Sequence, residues 1–346
     1  SVVSKAAFER LGPEKFGREP VGGGSGPFEI VKWTKGQKIE FARNPHYWKK
    51  GLPYLDKVDL RYVPDDNTRI LDVRSGRADM ADEIPYSQLE SLSNTGGVKL
   101  VVGKVAAVDA VLLHSTAPPL KSQQVRQALN YATPREAIKN VAFAGDGELG
   151  ITIIPQVKYA DPQIKPYPLE TEKAKELLAA AGYQNGFTLH LMLLGGDAIS
   201  NQVATILQSA WGEVGVKLEI QTVDYGTLTS KYLEGEFEAI LFPPTAVSLD
   251  IPSEDEFVNL FTETFFEEIF GVHNSKLKAL REAMESTWSE AERTKIYSEF
   301  ETEQRENPET VPLVEASSRT LLHEGVEGFE YVALNWWNLE STWLKH

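Results

Sequence analysis

From Leu169 to Phe242 the chain alternates between two hydrophobic periods, and no other feature restricts its fold as tightly. The run "LETEKAKELLAAAGY" has the spacing of a helix stopped by Gly182, and "FTLHLMLL" alternates as a strand. Asp197 then stands as N-cap of a helix reaching Trp211, with Gly215 as its stop. "VKLEIQTV" is a second alternating strand, Asp224 caps a further helix, and "FEAILF" is an apolar run of buried-strand length. Strands and helices in that order predict an α/β layer with parallel strand pairing.

The flanks carry weaker versions of the same signals. "SVVSKAAFERLG" predicts a short helix closed by Gly12, and "PFEIVKW-TKGQ-KIEFAR" a hairpin around a Gly-containing turn. "KVDLRYV" reads as a strand, "DDNTRILDVRSG" as a helix with Ile70 and Val73 inward and Gly76 as stop, and "RADMADEI" as a short strand. In "RNPHYWKKGLPYLD" the prolines interrupt regular structure, and the aromatics are expected to pin the loop to a core. After a helix from Ser122 to Ala132, Thr133 is expected to cap the next one, with Pro134 in its first position and Glu136 closing a capping box. S-x-x-E boxes also occur at Ser253/Glu256 and Ser289/Glu292, and "TVPLVEA" is a late strand.

The glycines between Gly22 and Gly26 suggest a phosphate cradle, but a strand pattern follows them where a helix N-terminus is needed. Pro27 also occupies the place of the last glycine in GxGxxG, so the stretch reads as a turn. The chain has 346 residues, a net charge of −15 and no cysteine. The charge argues against nucleic acid or an anionic membrane as partner and is in keeping with solubility. The absence of cysteine removes disulfides, thiol catalysis and thiolate-bound zinc, and fits an oxidising compartment. The chain begins at Ser1 rather than Met, as expected of a processed or trimmed chain. His46, His114, His190, His273, His323 and His346 form no ligand spacing, and His190 alternates with apolar neighbours onto the polar side of its strand. With no nucleophile elbow and no distinguishable carboxylate dyad, binding is expected rather than catalysis; a hydrolase is the weaker alternative.

Several stretches together resemble the extracellular solute-binding proteins of family 5, the oligopeptide- and dipeptide-binding type that serve ABC importers. Gly24-Ser25-Gly26-Pro27-Phe28 is similar to the family's G-T-G-P-F turn, and Arg43-Asn44-Pro45-His46-Tyr47-Trp48 to its R-N-P-x-Y-W. "LPYLDKVDLRYVPDDNTRILDVRSGRADMAD", "PPLKSQQVRQALNYATPREAI", "EKAKELLAAAGY" and "WGEVGVKLEIQTVDY" follow in the family's order, as do "VPLVEASSR" and "VEGFEYV". The resemblance implies an α/β, periplasmic-binding-protein-like fold of type II, with two lobes of mixed sheets flanked by helices. It implies an incomplete first lobe at 1–112 and 318–346, a second lobe at 113–317, and an exposed apolar scar where a longer N-terminal section docks in relatives. The implied protein is the periplasmic, or membrane-anchored, receptor of an ABC importer, monomeric, binding a peptide or similar small polar solute. Its partners are the importer's membrane subunits, with no cofactor, no metal and no nucleic acid. The family also contains nickel, sugar and opine binders, and a folded but binding-incompetent fragment is a further alternative.

The resemblance also nominates a site. In the family, a W-x-A-D-Y-x-x-P-x-x-F segment of the second lobe pairs its Asp with a peptide's amino group. "VSLDIPSEDEFVNLF" falls in that place: Asp250 matches the Asp and Phe257 the final Phe, while Val247 replaces the Trp and the Pro stands at Pro252. Asp250 is thereby the expected ammonium partner, with main-chain groups of Ala246 and Ser248 pairing with the ligand as an added strand would. The structural alternative for Asp250 is capping of a helix that begins near Ser253.

Overall fold

A computed structural model of the chain describes residues 3–18, 21–103, 108–153, 159–242, 267, 269–271, 273–332 and 336–345. It divides into two compact units, Ser1–Gly103 with Ser318–His346, and Lys104–Ser317.

In the second unit Phe187–Leu194 pairs in parallel with Val216–Val223 on one side and Ala239–Phe242 on the other. These strands belong to a six-stranded sheet in the order Glu148–Leu149, Thr310–Glu315, Asp109–Leu113, Ala239–Phe242, Phe187–Leu194, Val216–Val223. Asp109–Leu113 runs antiparallel to both neighbours, and all five of its residues are buried, as a strand covered on both faces requires. It belongs with the residues of the second unit, Lys104–Ser317.

The register puts Leu112, Ile240 and Met192 on one face. There they share a core with Leu228 of helix Tyr225–Leu233, Leu277 and Met284 of helix Ser275–Ser286, and Phe300 of helix Glu290–Glu306. Val111, Leu241 and Leu193 point to the opposite face. Helices Gln123–Tyr131, Arg135–Ala142 and Ala198–Gly212 cover it with buried Leu129, Ile138, Leu207 and Trp211. Each such side chain contributes about 1.5–3 kcal/mol of burial, so the two faces supply the drive that the alternating pattern promises.

Two buried arginines tie helices to the sheet. Arg126 donates to the carbonyls of Pro308 (2.6 Å) and Leu120 (2.6 Å) and to Asn307 Oδ1. Arg135 donates to Pro312 O (2.6 Å), Asn130 O (2.8 Å) and Asn130 Oδ1 (2.6 Å). The expected capping box at Thr133 does not form: Pro134 is the N-cap residue, with no side-chain cap bond. Thr133 Oγ1 instead donates to Leu129 O (2.7 Å) and accepts from Trp211 Nε1 (3.1 Å), because a buried indole N–H must find an acceptor. The cap at Ser289 does form, as do those at Asp65, Asp197 and Asp224.

In the first unit, helix Lys5–Arg18 is broken at Gly12, whose φ of 73° ends the first half where the sequence placed a stop. Met80–Ala81 and Val98–Gly103 flank Ser318–His323 in an antiparallel sheet. Ile70 and Val73 of helix Asp66–Arg74 pack with Ile84, Leu92 and Leu321 against it. A second sheet joins Phe28–Thr34, Lys38–Arg43 and Lys57–Arg61 in sequential antiparallel order, and none of its residues is buried. Val31 and Trp33 in this sheet and Tyr62 just beyond it are 57%, 38% and 70% exposed. Of the loop aromatics, Tyr47 donates to Glu340, which also receives Lys49 Nζ at 2.7 Å, while the side chains of Trp48 and Tyr54 are exposed.

Candidate ligand-binding site

Four strands of the six-stranded sheet, Thr310–Glu315, Ala239–Phe242, Phe187–Leu194 and Val216–Val223, run in one direction. Their carboxyl ends therefore share one edge, where antiparallel Asp109–Leu113 begins. The three nominated residues, Ala246, Ser248 and Asp250, lie outside the described ones. In open α/β sheets ligands bind outside the carboxyl ends of the strands, where diverging loops leave a crevice.

The loops at this edge are built firmly. Gly195 N donates to Val223 O (2.8 Å), extending the parallel pairing into the turn, and Asp197 accepts from Ile199 N (3.1 Å) and Ser200 Oγ. Asp224 accepts from Thr227 Oγ1 (2.6 Å) and Thr227 N (3.1 Å), and these bonds hold its carboxyl below the usual range. On the far side Asp146 accepts from the hydroxyl and amide of Ser317, the last residue before the chain changes unit. Gly147 beside it has φ +85°, and a Cβ there would stand 2.5 Å from Glu315 O, so only glycine fits against this strand end.

Within the first unit a polar cluster sits where Ser318–His323 begins. Thr320 Oγ1 donates to Asp82 Oδ1 (2.7 Å) and meets Tyr331 Oη, while Arg319 stacks 3.5 Å from the Tyr86 ring centroid. Burial pushes the Asp82 carboxyl up, against the pull of Thr320. Residues 82, 86, 319, 320 and 331 carry no shared motif; they come from two sheets, a short 3-10 turn and the loop beside it, and only the fold brings them together.

Charge is divided unevenly. The first unit holds 18 basic and 18 acidic residues and the second 17 and 32, so the whole net charge of −15 belongs to the second. Between Lys231 and Lys276 there are ten carboxylates and no Lys or Arg, and this stretch includes Asp250. The described residues hold no group of three metal-ligating side chains and no helix long and apolar enough to cross a membrane.

The family described as bacterial extracellular solute-binding proteins, family 5, middle, matches residues 2–265. The glutathione-binding protein GsiB of Escherichia coli O1:K1 is 34% identical over 227 residues, covering 65% of this chain and 44% of the relative. The chain thus spans less than half the length of that relative. Among solved structures, the binding protein AgaA from A. tumefaciens R10, in complex with agropinic acid, superposes with a TM-score of 0.83 at 27% identity, covering 93% of this chain and 67% of the other. The periplasmic binding protein DppA from Helicobacter pylori, in complex with the peptide STSA, gives 0.87 at 22% identity, covering 99% and 68%. These likenesses assign the mixed α/β architecture to the type II periplasmic-binding-protein class.

Proposed function

Since the chain belongs to the bacterial extracellular solute-binding proteins of family 5, we propose that it forms part of the substrate-binding component of an ABC importer, taking a peptide or similar small polar solute and delivering it to the importer's membrane subunits. On this reading Ser1–Gly103 with Ser318–His346 is a portion of the first lobe and Lys104–Ser317 is the second. It works outside the cytoplasm, as a monomer, and is not an enzyme.

One observation carries the reading: four strands of the six-stranded sheet end together at one carboxyl edge, where open α/β sheets take their ligands. The concentration of carboxylates between Lys231 and Lys276 supports a ligand bearing an ammonium group. Asp250 pairs with that group, and main-chain groups of Ala246 and Ser248 align the rest of the ligand. GsiB is named for binding glutathione, and DppA was solved in complex with the peptide STSA, which supports a peptide-like ligand.

The test is non-denaturing mass spectrometry of the purified chain with a defined peptide mixture, for wild type and Asp250→Ala. Wild type should retain peptide, and the variant should bind about 100-fold more weakly, since an amine left without its carboxylate partner costs roughly 3 kcal/mol. Equal affinity for the two removes Asp250 from the site. A wild-type chain that binds nothing supports the alternative, a folded portion that needs the remainder of the longer relatives to bind.

A further inference from the structure

In the first unit, the start of strand Ser318–His323 collects donors that lack acceptors. Arg319 Nε and Nη1, Ser318 Oγ and Trp337 Nε1 are all buried, and none has a hydrogen-bond partner. Such groups are rare in native proteins, because each one gives up its bonds to water and gains nothing in return. Arg319 matters most, since it carries a charge. Its guanidinium stacks 3.5 Å from the ring centroid of Tyr86, itself buried, and forms no ion pair among the described residues.

The surroundings hold this guanidinium in place. Arg319 O accepts from Ile84 N at 3.3 Å. The chain reaches Ile84 through Glu83, whose φ of 52° is a left-handed conformation that a non-glycine residue keeps only where its neighbours enforce it. Arg69 Nη2 fastens that turn by donating to Glu83 O at 3.0 Å. Stacking on Tyr86 occupies one face of the guanidinium plane and leaves its N–H edges, which match the oxygens of a carboxylate. The nearby carboxyl of Asp82 is already engaged: Thr320 Oγ1 donates to it at 2.7 Å, and burial works against its charge. Arg319 as a whole is only partly buried, which leaves a way in for a small molecule.

We propose that Arg319, braced by Tyr86, forms a binding site in the first unit for the carboxylate of a small organic solute. The inference concerns the first unit alone and stands whether or not Asp250 holds an ammonium group.

The experiment is calorimetric titration of the full chain with N-acetylalanine, which has a carboxylate and no ammonium group, beside N-acetylalaninamide, which has neither. Wild type should bind the acid and not the amide, and the acid should raise its melting temperature. Arg319→Gln should weaken binding of the acid at least ten-fold by removing the charged donors. Its melting temperature without ligand should equal or exceed that of wild type, since an unpaired buried charge is gone. Arg319→Lys, which keeps the charge and loses the planar fork, should fall between the two. Equal affinity of wild type for acid and amide overturns the proposal, as does equal affinity of wild type and Arg319→Gln for the acid. A wild-type chain that binds neither compound also overturns it and assigns the unpaired donors to ordered water. Inorganic phosphate bound as tightly as the acid overturns the choice of a carboxylate.

Discussion

Glu309, the residue ahead of strand Thr310–Glu315, offers a prediction whose sign can be worked out from its surroundings. Its side chain is buried; Gln304 Nε2 donates to its Oε2 at 3.0 Å, and the Arg126 charge is close enough to be felt. Burial dominates and pushes its carboxyl up from 4.5 to about 7, with Arg126 and Gln304 opposing. Below about pH 4.5 the group is protonated in both states and stability does not depend on it. Between about 4.5 and 7 the unfolded chain releases the proton while the folded protein keeps it, so stability falls as pH rises. Over that window the loss is about 3 kcal/mol, at 1.36 kcal/mol per unit. Glu309→Gln keeps the shape and removes the proton equilibrium. Urea unfolding at pH 4.5, 6 and 8, followed by circular dichroism, should show a variant equal to wild type at pH 4.5 and more stable by up to about 3 kcal/mol at pH 8. A variant that is less stable than wild type at pH 8 and equal at pH 4.5 would refute the reasoning, since Glu309 would then be ionised and paired with Arg126. Glu301, buried and also raised to about 7, adds a wild-type slope of the same sign, which cancels in the comparison.

Arg126→Lys should destabilise the second unit nearly as much as Arg126→Ala, by about 3 kcal/mol, because an ammonium cannot reproduce the fork to Pro308, Leu120 and Asn307; full rescue by lysine in urea unfolding would contradict this. Gly147→Ala should lower the melting temperature, as its Cβ would meet Glu315 O at 2.5 Å in a positive-φ turn; an unchanged melting curve would show that the turn relaxes freely. Thr133→Val should cost roughly 1–3 kcal/mol by leaving the Trp211 N–H unsatisfied, whereas Trp211 fluorescence and stability that do not move would show another acceptor at hand. The half-exposed sheet around Val31, Trp33 and Tyr62 should bind a hydrophobic dye under native conditions, and Val31→Ser with Tyr62→Ser should reduce the signal; an undiminished signal would locate the dye elsewhere.

Local pattern sufficed for much of this protein. The alternation between Leu169 and Phe242 specified parallel strands with helices between them, since side-chain period and helix caps are properties of neighbouring residues. The caps at Asp197, Asp224 and Ser289 were legible for the same reason, and the ordered motifs pointed to the family. Thr133 was not legible, because its choice between capping a helix and serving Trp211 depends on a contact 78 residues away. Nor was the place of Asp109–Leu113, whose five buried residues would suit any central strand until its antiparallel neighbours are known. His190 shows the division most plainly. The strand period put it on a polar face, but only register could set Glu219 and Glu238 on either side of it, because pairing joins positions that no sequence spacing relates.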